Sequence, residues 1–366
     1  MTYNVFMPVN CIWGDGAVTE NSHLLSALGK RCLIVTGKSS AKKSGALDDA
    51  VAALEKEGIA YAVFDGIGEN PLISACHRAG EAARKAEAEF ILGIGGGSPL
   101  DASKSIAIYA SNPDLGPVDI YKRVYSNSPL PVALIGTTAG TGSEVTSVSV
   151  LTNDETGIKK SVKGADCYAK LAFLDPKYTF SAPYSVTVST ALDAFAHAVE
   201  GYFTEKCEGA ERLFAEKAIT TLYPCLEQLA AGGTVDPALR APLYYGSIYA
   251  GLTINNCGTA FPHPLGYVLT ENYGVPHGMA CAAFFGYFIE RCVKFSPEKA
   301  EHFFTLTDEK ENVKALIASL TDTKGAKITP EQAHAYSERW AVTLPGNFLA
   351  SPGSLTREEA EQMLIM

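Results

Sequence analysis

The chain reads as an α/β N-terminal half built on a parallel sheet, followed by an all-helical C-terminal half. Two observations carry this reading. Up to about residue 175, short apolar runs alternate with amphipathic or alanine-rich stretches, the pattern of strands joined by crossover helices. From Pro183 onward, long alanine- and leucine-rich segments follow with few strand signals. A length of 366 residues fits two domains. Asp175-Pro176, where the last apolar run gives out, sets the expected division at 1–176 and 177–366.

In the first half, residues 31–37 form an apolar run ending in glycine, read as a buried strand. Residues 45–57 carry Leu47, Val51 and Leu54 at helical spacing. A second strand over 59–64 closes on Asp65-Gly66, and 72–88 is an alanine-rich helix. Strands over 90–94 and 131–135 bracket a helix over 99–110. Residues 147–151 and 171–174 read as further strands, with Lys159 and Lys160 between them as solvated charges or as reach toward a ribose or phosphate. In the second half the expected helices cover 185–203, 209–229, 237–256, 278–295, 308–320 and 330–341.

Ligands of such sheets bind where strands end and helices begin. The junction Gly93-Ile94-Gly95-Gly96-Gly97-Ser98-Pro99-Leu100-Asp101 has three glycines for a tight turn and close backbone approach. Ser98 is placed for an N-cap, Pro99 for the first helical position and Asp101 for a capping box. A helix N-terminus with free amides is a natural pyrophosphate site. A plain glycine-rich turn without a ligand would look similar. A second loop of hydroxyls and glycines, residues 136–144, follows the next strand and would complete a lip over one ligand.

Composition narrows the function. A formal net charge of -10 with no basic stripe argues against nucleic acid. Nine scattered cysteines without a C-x-x-C fit reduced thiols in a cytoplasmic protein. No basic segment followed by an apolar run opens the chain, so no signal peptide is expected. The longest uncharged apolar stretch, 278–289, is too short to span a bilayer and reads as a buried helix.

The residues that point to chemistry lie in the second half. Asp193 and His197 stand four apart on a helix, on one small apolar face. His263 lies between prolines at a helix start, and His277 between a proline and a glycine. Proline fixes the backbone beside each imidazole, as suits a rigid ligand. His23, His77, His302 and His334 lack that setting and read as surface residues. Taken singly, each of the first three histidines could be structural. Together, three imidazoles and one carboxylate suit Fe(II), Zn(II), Mn(II) or Ni(II), and spacing does not choose among them.

Four stretches then resemble the iron-containing alcohol dehydrogenases: Gly95-Gly96-Gly97-Ser98-Pro99-x-Asp101-x-x-Lys104, Thr137-Thr138-Ala139-Gly140-Thr141-Gly142-Ser143-Glu144, Asp193-x-x-x-His197 and Pro276-His277-Gly278. Asn70-Pro71 also fits, and the likeness runs from Trp13 to about Arg291. The resemblance implies a Rossmann-like dinucleotide-binding domain and a helical domain in a dehydroquinate synthase-like architecture, with the active site in the cleft between them. It implies that Asp193, His197, His263 and His277 hold Fe(II), or Zn, Mn or Ni in the same site. It implies that Gly96, Gly97, Ser98, Asp101, Thr137, Thr138 and Lys160 line the dinucleotide site, with Asn70, Gly95, Lys104, Thr141 and Ser143 in the matching motifs. The implied reaction passes hydride between NAD(P)(H) and a small primary alcohol or aldehyde, in a homodimer that binds neither nucleic acid nor membrane. A cyclase of the dehydroquinate synthase kind, a glycerol dehydrogenase-like enzyme and a non-catalytic metal- and nucleotide-binding protein are the alternatives. The glycerol enzymes lack a histidine matching His197.

Two departures matter. Many family members have an aspartate where this chain has Gly37, followed by Lys38-Ser39-Ser40. Without that acid, and with a lysine and hydroxyls beside it, NADP(H) is expected to be preferred over NAD(H). Many relatives also carry a histidine where this chain has Tyr267, so a histidine proton relay is not expected, and Tyr267 or a water is expected in its place.

Overall fold

The computed structural model describes residues 5–365. Its strands are β1 (Asn10–Trp13), β2 (Arg31–Gly37), β3 (Ala60–Ile67), β4 (Phe90–Gly95), β5 (Val132–Gly136), β6 (Val148–Thr152), β7 (Lys159–Lys163) and β8 (Leu171–Leu174). Six form one sheet in the order β1-β8-β5-β4-β2-β3, and β6-β7 is a separate hairpin. Every pairing in the large sheet is parallel. All residues of β4, β5 and β8 are buried. Both faces of the sheet are therefore covered, which is why these strands read as unbroken apolar runs.

Chain order reverses between β2 and β4: from β2 the chain goes on to outer β3, from β4 to β5 on the other side. Crevices at such reversals, outside the carboxyl ends of the strands, are where open α/β sheets take ligands. Gly37 ends β2 and Gly95 ends β4, so the two signals noticed in the sequence flank one reversal point.

Two strands escaped the sequence reading. β1 is a four-residue edge strand, with Trp13 41% exposed, and too short to show an apolar run. β7 is Lys-Lys-Ser-Val-Lys; pairing with β6 makes it a strand, from Val148↔Lys163 to Thr152↔Lys159.

The α/β unit spans 6–182 and the helical unit takes up the chain from Pro183. The line falls later than Asp175-Pro176 because Tyr178 is wholly buried in the α/β core with Ile34, Phe90 and Phe173. Its hydroxyl also donates to Asp49 (2.9 Å).

The helical unit centres on Tyr184–Phe203, buried on all sides from Thr187 to Phe203 apart from Thr190. Around it stand Ala210–Ala230, Arg240–Cys257, Pro262–Tyr273, His277–Ala282 and Phe285–Phe295. Five further helices follow, from Pro297–Leu306 to Arg357–Leu364. The single helix expected over 278–295 is two. It ends at Ala282, where Phe284 N–H bonds back to the Cys281 carbonyl (3.2 Å), and restarts at Phe285. Both Phe284 and Phe285 are buried, so apolar composition hid the break. Near the C-terminus Leu364 is buried and Ile365 is 45% exposed; Met366 lies outside the described residues. Among the described residues no helix is long and apolar enough to cross a membrane.

Candidate metal centre and dinucleotide loops

The central helix carries Asp193 and His197 on one face, with His197 Nε2 3.7 Å from Asp193 Oδ1. His263 is the second residue of Pro262–Tyr273 and His277 the first of His277–Ala282. Their Nε2 atoms each lie 3.8 Å from the same Asp193 oxygen. Three imidazole nitrogens thus converge on one carboxylate oxygen at distances too long for hydrogen bonds. Such a spacing fits co-ligands of one ion, and the donor set of imidazole and carboxylate fits a divalent transition metal. His197 and His263 stack at 4.7 Å between centroids, and His263 meets His277 edge-on at 5.5 Å. Asp193, His197 and His263 are buried, while the His277 side chain is 28% exposed, which leaves one side of the cluster open.

Gly278 is what lets His277 reach this place. A Cβ there would run into the Ser189 carbonyl oxygen of the central helix and stand 2.9 Å from Asp193 N. Only glycine permits two backbones to approach this closely.

The residues expected to line the dinucleotide site gather in the other unit. Gly95 sits at φ +154, and a Cβ there would stand 2.6 Å from Pro99 Cγ. A Cβ on Gly96 would be 3.0 Å from Thr138 Oγ1, and one on Gly97 2.5 Å from Thr141 Cγ2. The two loops therefore pack directly on each other, and Thr137 N–H donates to the Gly95 carbonyl (2.8 Å). Asn70, at φ 54, donates its N–H to Ser98 Oγ (3.2 Å). Gly37 joins them, since a Cβ there would lie 3.8 Å from Pro99 Cγ. The helix begins earlier than its sequence indicated: Gly96 is the N-cap, Gly97 the first helical residue, and no side chain caps it. The expected capping box is absent because Ser98 already lies inside the first turn and faces Asn70.

A match over residues 8–176 to the family model "Iron-containing alcohol dehydrogenase" joins these two sets of residues, and residues 187–329 match "Fe-containing alcohol dehydrogenase family, C-terminal". The 1,3-propanediol dehydrogenase of Klebsiella pneumoniae is 32% identical over 310 residues, covering 82% of this chain and 78% of that protein. This chain belongs to the iron-containing alcohol dehydrogenases. NADH-dependent butanol dehydrogenase A of Clostridium acetobutylicum is 30% identical, over 77% of this chain and 73% of that one. The solved structure of an iron-containing alcohol dehydrogenase from Thermotoga maritima matches with a TM-score of 0.90 at 32% identity, covering 99% and 98% of the two chains. The protein is accordingly a metal-dependent oxidoreductase acting on alcohols, with the α/β-plus-helical architecture of its family.

Within this alcohol dehydrogenase the remaining residues singled out in the sequence take varied places. Lys104 has no exposed side-chain surface; its ammonium donates to Ser143 Oγ (2.8 Å), the Thr146 carbonyl (3.0 Å) and the Val148 carbonyl (2.8 Å). Asp101 accepts from Ser143 Oγ and from Val150 N–H (2.8 Å). Burial pushes the Asp101 carboxyl up and the Lys104 ammonium down, and the charge of each opposes the other's shift. Lys38 and Ser39 are exposed just beyond β2. Lys160 lies on the hairpin with its ammonium 5.1 Å above the Tyr121 ring. Tyr267 stacks on His277 at 5.3 Å and meets Trp340 at 5.5 Å. His77, expected at the surface, is half-buried and meets Tyr109 edge-on at 5.2 Å.

Sequence reasoning missed two residues of this alcohol dehydrogenase. Glu200 is fully buried, accepts from His263 Nδ1 (2.7 Å) and, through its other oxygen, from Ala260 N–H (2.8 Å). Burial raises its pKa, and the His263 imidazole opposes that rise. Nothing in the local sequence sets it apart, although Glu200 lies three residues past His197 on the central helix. Cys281, four residues past His277, is the second.

Proposed function

We propose that this enzyme interconverts a small primary alcohol and its aldehyde, with NADP(H) preferred over NAD(H), around a divalent ion held by Asp193, His197, His263 and His277. The convergence of three imidazole Nε2 atoms at 3.7–3.8 Å from Asp193 Oδ1 carries the reading. An ion there supplies Lewis acidity toward an alcohol or carbonyl oxygen, and the nicotinamide gives or takes the hydride.

The chain's own part is placement. Asp193 brings a carboxylate to a largely buried cluster of imidazoles. Glu200 holds the proton of His263 on Nδ1 and so presents Nε2 as a lone pair. Gly95, Gly96, Gly97, Ser98, Thr137, Thr138 and Thr141 cradle the pyrophosphate at the head of the helix Gly97–Ser111. Asp101, Lys104 and Ser143 serve that cradle from within, by tying the helix to the polar loop. Asn70 holds Ser98, and Lys160 reaches from the hairpin. Tyr267, against His277, walls the substrate side where many relatives have histidine.

The NADP(H) preference is argued from charge. Gly37 brings no carboxylate to the end of β2, and exposed Lys38 and Ser39 can pair with a 2′-phosphate. The name of the Clostridium relative points to NADH, so the choice rests on these residues. Nine free thiols are consistent with a reducing compartment, taken as the cytoplasm, and a homodimer is the proposed assembly.

The test is NAD(P)H consumption with short aldehydes by metal-stripped protein given Fe(II), Zn(II), Mn(II) or Ni(II). Metal-dependent turnover with higher kcat/KM for NADPH is expected, and His277→Ala should lose bound metal and turnover together. Gly37→Asp should cost NADPH about 1–4 kcal/mol of transition-state binding through like-charge repulsion. Equal or better kcat/KM with NADH in the wild type would overturn the cofactor choice. No turnover with any metal would overturn the reaction.

A further inference from the structure

Beside the four expected ligands stands a sulfur. Cys281 is buried and lies four residues after His277 on the same short helix, hence on the same face. Its Sγ is 3.8 Å from both ring nitrogens of His277. Donor atoms of Asp193, His263, His277 and Cys281 all lie within 4.8 Å of one another. Among the described residues this is the one such group of four donors, and none of the other eight cysteines enters one. A Cβ on Gly266, in the neighbouring helix, would stand 2.9 Å from both the Cys281 backbone nitrogen and its Sγ. Two glycines therefore shape this corner, Gly278 for His277 and Gly266 for Cys281.

Two pairs at i, i+4 thus meet across packed helices, Asp193 with His197 and His277 with Cys281. Around a tetrahedral zinc, with sulfur at about 2.3 Å and nitrogen at about 2.0 Å, neighbouring donors stand roughly 3.5 Å apart. Sγ stands 3.8 Å from both His277 nitrogens, so a rotation of the Cys281 side chain toward Nε2 would be needed to reach that geometry. Thiolate is a soft donor, which favours zinc over Mn(II) and other hard ions at a site of mixed imidazole and carboxylate.

We propose that Cys281 is a sulfur ligand of this centre when zinc occupies it, taking beside Asp193, His263 and His277 the place that His197 holds for the other ions. The zinc–sulfur bond forms as the S–H bond breaks, and the proton passes to solvent. The proposal rests on the metal reading given above and deepens it by naming a donor that sets metal preference.

X-ray absorption at the zinc edge of the zinc-loaded full-length protein tests it directly. A sulfur shell at about 2.3 Å, beside nitrogen and oxygen at about 2.0–2.2 Å, is expected in the wild type. Cys281→Ser should lose that shell while still binding zinc. Zinc bound with nitrogen and oxygen neighbours alone would overturn the sulfur ligand and leave the metal centre standing. A sulfur shell that persists in Cys281→Ser would also overturn it. A wild type that binds no zinc would overturn the sulfur ligand, and one that binds none of Fe(II), Zn(II), Mn(II) or Ni(II) would overturn the metal reading as well. The wild-type spectrum decides even if the variant fails to fold.

Discussion

Glu200 decides which nitrogen His263 offers. Its Oε1 takes the Nδ1 proton at 2.7 Å and its Oε2 takes the Ala260 N–H at 2.8 Å, so both oxygens are acceptors in use. A glutamine has only one acceptor oxygen; its amide would face one of these donors with N–H groups of its own. Glu200→Gln should therefore weaken metal binding by about 10–100-fold, the usual scale for a partner behind a ligand. Titration against a chelator of known affinity, with circular dichroism to check the fold, measures it; unchanged affinity would remove Glu200 from the site. The difference in legibility between Glu200 and the four proposed ligands is physical. Asp193 and His197 declare themselves by spacing, and His263 and His277 by the prolines beside them. An acid near the end of a helix looks like any solvated face. Only packing shows that Glu200 has no contact with water.

At the scale of the element, the site depends on how closely the helix His277–Ala282 lies against Tyr184–Phe203. Gly278→Ala would push a methyl group into the Ser189 carbonyl, with no flexible side chain to give way. Overpacking of this kind costs about 1–3 kcal/mol, and a rigid backbone contact belongs at or above the top of that range. The variant should lose metal along with stability, read by urea unfolding and bound-metal content. Gly274→Ala is the control: that glycine, at φ +64, has open space around it. It should cost about 1 kcal/mol through backbone strain alone and keep its metal. If both variants behaved alike, close approach at Gly278 would not be what places His277. The sequence pattern Pro276-His277-Gly278 drew attention to the histidine, but the reason for the glycine lies in a helix some eighty residues earlier. Long-range contacts also explain the other misreadings. β7 is a strand because β6 pairs with it, and the apolar stretch after Gly278 breaks into two helices although its composition is continuous. Strands buried on both faces, such as β4 and β5, needed no such help.

The proposed ligand residues divide between the two units. Every proposed metal donor falls between residues 193 and 281, in the unit that begins at Pro183. Every glycine and hydroxyl of the two cofactor loops falls before residue 182. A ligand that binds only the folded form stabilises it by RT ln(1 + [L]/Kd), about 2.7 kcal/mol at a hundredfold excess over Kd. For a unit of this size that amounts to roughly 5–10 °C in Tm. Stripping the metal with a chelator should then lower the melting of the helical unit by that amount and leave the α/β unit nearly unmoved. Saturating NADPH should do the reverse, raising the α/β transition. Differential scanning calorimetry of the full chain, loaded and stripped, separates the two. One transition moved equally by both ligands would mean that the units melt together, and that the ligand energies cannot be assigned to them one by one. Two transitions, each answering to its own ligand, would show that the division visible in the sequence, strands before and helices after, is also a division of stability.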